Sequence, residues 1–97
     1  MKVEKLKDML VCMGLNEYAK LVIGYIGRGD HKVSIVKEGD YYNVYTSSEK
    51  GQPYIQGEKL SENDACEEVI SIFNEYKNEY EYFVRKGIID GSYKTKF

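Results

Sequence analysis

The 97-residue chain has no tryptophan, one proline, one histidine and two cysteines, and each scarcity excludes something. A single Pro and no low-complexity tract argue against a disordered or linker-like chain. Cys12 and Cys66 are too few and too far apart for a disulfide framework, and neither belongs to a C-x-x-C or Cys/His zinc spacing. A reducing compartment fits such usage. His31 stands beside a turn without the nucleophile and orienting group that catalysis needs. H-E-x-x-H and paired-carboxylate motifs are missing as well. The sequence therefore predicts no catalytic residue, no cofactor and no metal, a protein that is not an enzyme. Its longest apolar stretch, Leu21 to Ile26 interrupted by Gly24, is far short of the roughly 20 residues that cross a bilayer. Charges spread through the first eight residues leave no room for a signal peptide's apolar region. A cytoplasmic protein without a membrane partner is expected.

Excess charge is also lacking. Fourteen Lys and Arg against 16 Asp and Glu give a net charge of −2, unlike a basic nucleic-acid binder. What is present is a core and a surplus of tyrosine. Apolar residues make up 42% and charged residues 31%, with ten Tyr and three Phe. A chain of this length buries roughly two-thirds of its unfolded surface, so residues 1–97 are read as one domain, with 88–97 a C-terminal tail in which Ile88 and Ile89 tuck in.

Val3, Leu6, Leu10 and Met13 recur at helical spacing before Gly14, predicting a first helix near residues 2–13. Asn16 can cap a short turn before Leu21–Ile26, read as a strand. HKVSIVK and YYNVYT, separated by Glu38-Gly39-Asp40, predict a hairpin. In its second arm Tyr42, Val44 and Thr46 point one way, Tyr41, Asn43 and Tyr45 the other. Ser47–Gln52 reads as a loop and Pro53–Gln56 as a short edge strand. The clearest element is a long helix after Leu60, with Ser61 as N-cap, Asp64 three residues on, Arg85 and Lys86 at the far end and Gly87 as terminator. Ala65, Val69, Ile72, Phe73, Tyr76, Tyr80 and Phe83 share one face. The predicted fold is α+β in α-β-β-β-α order: an antiparallel sheet of three or four strands packed against the long C-terminal helix, with the N-terminal helix beside it.

Two groups of residues stand out as candidate partner-binding surfaces. Asp64, Glu68, Glu75 and Glu79 line up with Tyr82 on the long helix. Between Ser61 and Val84 there are seven acids and one base, Lys77, so this segment carries −6 of a total of −2 and the remainder carries +4. Solvation explains such a face, and so does docking of a basic partner, since a field of one sign speeds encounter. The second group is the sheet face bearing Tyr41 and Tyr45 with the Ser48–Gln52 loop and its Glu49, because tyrosine is enriched where proteins bind proteins. The glycines from Gly24 to Gly29 match no phosphate-loop spacing and more simply end a strand and turn the chain. The predicted order is also that of the double-stranded-RNA-binding domain. Such domains hold phosphates at the start of their last helix, where this chain places Glu62, Asp64, Glu67 and Glu68, so no nucleic-acid partner is expected.

Leu15-Asn16-Glu17-Tyr18-Ala19, then Tyr42-x-Val44-Tyr45, Ser48-Glu49-Lys50-Gly51 and Leu60-Ser61-Glu62-x-Asp64-Ala65-Cys66 form a succession across residues 15–75. It resembles small immunity proteins of bacterial polymorphic-toxin systems. The resemblance implies a cytoplasmic protein that binds the C-terminal domain of a cognate toxin and occludes or distorts its active site. A small acidic regulatory or phage-type binding module, acting as a nucleic-acid mimic or adaptor, is the alternative consistent with the same acidic helix.

Overall fold

The computed structural model describes residues 1–87; the tail at 88–97, with Ile88 and Ile89, lies outside the described residues. The elements are α1 (Val3–Cys12), β1 (Lys20–Ile23), β2 (Lys32–Glu38), β3 (Tyr41–Ser47), β4 (Pro53–Leu60) and α2 (Glu62–Arg85). The strands lie side by side in sequence order, and the fold is α+β in α-β-β-β-β-α order.

The β2–β3 hairpin forms as expected but with a tighter turn: Glu38, read as part of the turn, pairs with Tyr41 at the end of a ladder that begins with Val33 opposite Thr46. Gly39 takes φ +62 in its two-residue turn, a left-handed conformation that suits glycine. Elsewhere the sheet departs from expectation in two ways. It is mixed, because β1 pairs with β2 in parallel, whereas all strands were expected antiparallel. The physical reason is the connection: Gly24 at φ +93 stops the strand at Ile23 instead of Ile26, and Gly29 at φ +108 and His31 at φ +57 turn the chain back. Eight residues, 24–31, thus return the chain to the end of the sheet where β1 began, without a helix.

The second departure is β4, which runs to Leu60 instead of ending at Gln56. Two register shifts against β3 let it continue, between Tyr42 and Val44 and between Val44 and Tyr45. At these bulges the strand needs substitutes for ladder bonds. Lys59, at φ +56, donates its N–H to the Asn43 side-chain oxygen at 2.9 Å.

The core lies between one face of the sheet and the helices. Val33, Ile35 and Val44 meet Ala65, Cys66, Val69, Ile72 and Phe73 of α2, and Leu6 and Leu10 of α1 close the side. Ser61 caps α2 as predicted, accepting the Asp64 N–H at 3.1 Å. Lys2 gives α1 no side-chain cap. Instead the Glu62 carboxylate accepts the Val3 N–H at 2.9 Å and approaches the Lys2 ammonium at 3.4 Å. An acid on α2 therefore satisfies an orphan donor of α1 and sits at the positive end of its dipole.

Two outcomes follow for stability. Phe73 is 1% exposed and the largest of the fully buried side chains, so Phe73→Ala should cost about 3–5 kcal/mol, read from urea unfolding. The Val3 N–H bond holds the Glu62 carboxyl below its ordinary value, opposed by partial desolvation and reinforced by Lys2. A carboxyl depressed in the folded state contributes stability above its unfolded pKa that is lost as pH falls through its folded pKa. Glu62→Gln should therefore lower the urea midpoint at about pH 7, with the difference from the parent shrinking as the pH falls through the folded-state pKa of Glu62.

Candidate functional site

The long helix positions the first candidate surface. Its buried stripe fixes which side faces solvent, and the polar residues between the apolar ones have to face away. Asp64, Glu75 and Glu79 are exposed on one flank, with the Tyr82 ring 45% exposed at its end. Eighteen residues at 1.5 Å each separate Asp64 from Tyr82, so the ridge is about 27 Å long. Tyr82 is held edge-on against Phe83, ring centroids 5.7 Å apart, and the Lys86 ammonium stands 5.8 Å from its ring. Glu68 departs from the expected open ridge. It is half-buried, its stem beside β4, where a Cβ added at Gly57 would meet Glu68 Cγ at 3.6 Å.

Among the described residues, Asp64, Glu68, Glu75 and Glu79 take part in no ion pair. Their field nonetheless reaches inward. Burial raises the Tyr76 hydroxyl above its ordinary value, and the negative charges of Asp30, Glu79 and Glu75 push it further. Tyr76 packs against the core, its ring 5.0 Å from that of His31, while Tyr80 lies 5.6 Å from Tyr18. The rings at 76 and 80 thus carry the helix stripe across the turn segments at residues 18 and 31.

The second surface lies on the opposite face of the sheet. Strand alternation sends Tyr42 and Val44 to the core and Tyr41, Asn43 and Tyr45 outward. Tyr41 is 53% exposed. Tyr45 is half-buried and its hydroxyl accepts from the Asn43 amide at 3.3 Å. Glu49 is exposed in the β3–β4 loop, which is tied by Ser48 to Gln52 and Gly51. The structure therefore brings the helix residues together along one line, and does not bring Tyr41, Tyr45 or Glu49 to them, since the sheet stands between.

Part of that outer face is covered by a feature absent from the sequence reading. The 24–31 segment lies over it, with the Gly27 N–H donating to the buried Ser34 hydroxyl at 2.8 Å and the Ser47 hydroxyl donating to the Gly29 carbonyl. Two buried serines thereby latch a loop to the sheet, leaving Tyr25 67% exposed on its crest. A second unforeseen feature is a cleft between α1 and β1, lined in part by Lys7, Val11, Leu21 and Ile23. Val11, an apolar residue outside the Val3–Leu6–Leu10–Met13 stripe, was its one sequence signal.

The remaining reactive groups are accounted for by packing or by neighbours. Cys66 is buried and Cys12 exposed, both as free thiols. Burial raises the Cys66 thiol above its ordinary value, and the Glu62 charge adds to this. The His31 Nδ1 lies 3.0 Å from Asp30. Among the described residues no group of three or more His, Cys, Asp or Glu is placed to hold a metal, and no helix is long and apolar enough to cross a membrane.

The latch gives a direct test of how the outer face is built. A Cβ at Gly27 would meet Val22 Cγ2 at 2.7 Å, so Gly27→Ala must displace the loop or the strand. It should destabilise the protein by about 1–3 kcal/mol in urea unfolding and raise amide exchange across residues 24–31. Compared with protein-family models, curated proteins and solved structures, the chain matches none.

Proposed function

We propose that this protein acts by binding another protein, as an immunity protein that neutralises a cognate toxin domain, with the α2 ridge as the docking surface. The observation that carries the reading is the second half of that ridge. Acids in the first turn, Glu62 and Asp64, are explained by the helix dipole, whose influence fades within a turn. Glu75 and Glu79 lie well beyond it, are exposed, and have no ion-pair partner among the described residues. As like charges four residues apart they cost the helix a few tenths of a kcal/mol. A surface that keeps such a cost, with an exposed Tyr82 one turn on, is suited to a basic partner that neutralises it on docking.

The resemblance of residues 15–75 to immunity proteins supplies the class of partner. Nucleic-acid-attacking toxin domains present basic surfaces to their substrates, and an acidic ridge about 27 Å long is opposite to such a surface in sign. The protein blocks the toxin by occupancy and performs no chemistry of its own.

The experiment starts from a pull-down in the source bacterium with tagged protein at low salt. Recovery of one toxin-like chain through its C-terminal domain supports the reading; recovery of nucleic-acid-handling proteins instead moves it to the acidic regulatory module. With the purified complex, Glu75→Lys combined with Glu79→Lys should lower the association rate about tenfold or more and reverse its salt dependence. Both sites are exposed, so urea stability should change by no more than about 0.5 kcal/mol. An unchanged association rate discards the ridge as the docking surface.

A further inference from the structure

At the end of the sheet away from β4 lies β1. β1 pairs only with β2, so one side of the strand is a free edge. The bonds that join it fix which of its groups are free. Lys20 donates its N–H to the His31 carbonyl at 2.9 Å and Gly24 to the Ile35 carbonyl at 3.0 Å. In a parallel ladder, alternate residues face the partner strand. Leu21 and Ile23 therefore point their main-chain N–H and C=O groups away from β2, along the open side.

The side chains of the same two residues line the cleft between β1 and α1, about 380 Å³ in volume. Across it stand Leu10 and Val11, with Phe73 also contributing. Ile23 is 47% and Val11 53% exposed, so apolar groups on two elements face each other across unfilled space. Lys7 also lines it, and Lys20 borders it at the start of β1, its side chain alternating to the other face of the strand. Neither takes part in an ion pair among the described residues. Lys7 and Val11 lie one turn apart on α1, so charge and apolar surface stand on the same side of that helix.

We propose that the β1 edge and this cleft bind an extended protein segment by strand addition, the added strand placing a large apolar side chain in the cleft and an acidic side chain beside Lys7. Main-chain groups at Leu21 and Ile23 give the pairing, the cleft selects the apolar residue, and the Lys7 ammonium selects an acid next to it. A free amphiphilic anion would use the cleft and Lys7 but leave the four main-chain groups at residues 21 and 23 unpaired, which is why a strand fits better. This surface is distinct from the acidic α2 ridge, and its test does not depend on the toxin reading.

The test titrates the full ¹⁵N-labelled chain with an acetylated, amidated heptapeptide, Thr-Glu-Thr-Leu-Thr-Glu-Thr. Leu and both Glu share one face in either strand direction. Saturable shifts at the amides of Leu21, Ile23 and Val11 are expected. Replacing both Glu of the peptide by Lys should weaken binding about tenfold and Lys7→Gln in the protein about threefold, whereas Lys20→Gln, on the other face of β1, should change it little. Methylating one alternating set of peptide nitrogens should abolish binding, whereas methylating the other set should leave it intact, because only one set faces β1. No shift at millimolar peptide overturns the proposal, as does equal binding by both methylated forms. Octanoate shifting these amides when the heptapeptide does not assigns the cleft to a small amphiphile and overturns the strand. Concentration-dependent dimerisation that Ile23→Lys and Val11→Lys both abolish assigns the edge to a second copy and overturns it likewise.

Discussion

The structure depends on the burial of one stripe of α2. Ala65, Val69, Ile72 and Phe73 are each at most 4% exposed and meet Val33, Ile35 and Val44 from the sheet and Leu6 and Leu10 from α1. Each fully buried large side chain contributes roughly 1.5–3 kcal/mol, so this contact outweighs any single polar interaction in the molecule. It also sets everything outside the core. With the stripe fixed, the azimuth of every other residue on the helix is fixed, and the acids have only the flanks and the solvent side left. The Glu62 contact to the start of α1 works within that constraint, orienting a helix that the core has already drawn in.

How much of this was legible follows from where the information resides. The α2 boundaries were readable because Ser61, Arg85 and Gly87 act locally, and the Ser61 hydroxyl accepts from Asp64 as its spacing implied. The hairpin was readable because Gly39-Asp40 fixes the register of its own flanks. The direction of β1 was not, since it depends on a non-local pairing between Leu21 and Val33 and on backbone conformations at Gly24, Gly29 and His31. The length of β4 was hidden for a related reason. Its bulges are compensated by Asn43, a residue in a different strand, and no period-two pattern records such a substitution.

The candidate sites divide along the same line. The helix residues Asp64, Glu75, Glu79 and Tyr82 were legible because helical spacing alone places them together. Glu68 was misjudged by the same arithmetic: the wheel gives its azimuth but not the neighbouring strand, and the extra length of β4 brings Gly57 against its stem. The separation of Tyr41 and Tyr45 from the acids followed from strand alternation once it was known which face the helix covers. The cleft beside β1 left only the off-stripe Val11 as a trace in the sequence, because it is made by what two elements leave unfilled.

The distribution of charge connects these surfaces. The segment from Ser61 to Val84 carries −6, whereas residues 1–60 carry +1 and residues 85–97 carry +3, so the small net charge conceals a concentration of negative charge on α2. Pairing inside the molecule neutralises little of it: among the described residues, the ion pair joining α2 to the remainder is Lys2–Glu62, at the capped end of α1. Further along α2, Glu75 and Glu79 face solvent, and Lys7 stands beside the cleft at the β1 edge. Exposed charges more than about 8 Å apart are largely screened from one another at physiological salt, so each surface presents its own sign to whatever approaches. A division of this kind contributes little to folding, for which neutralised pairs would serve as well. Its physical consequence lies in encounter, where the α2 flank favours basic groups.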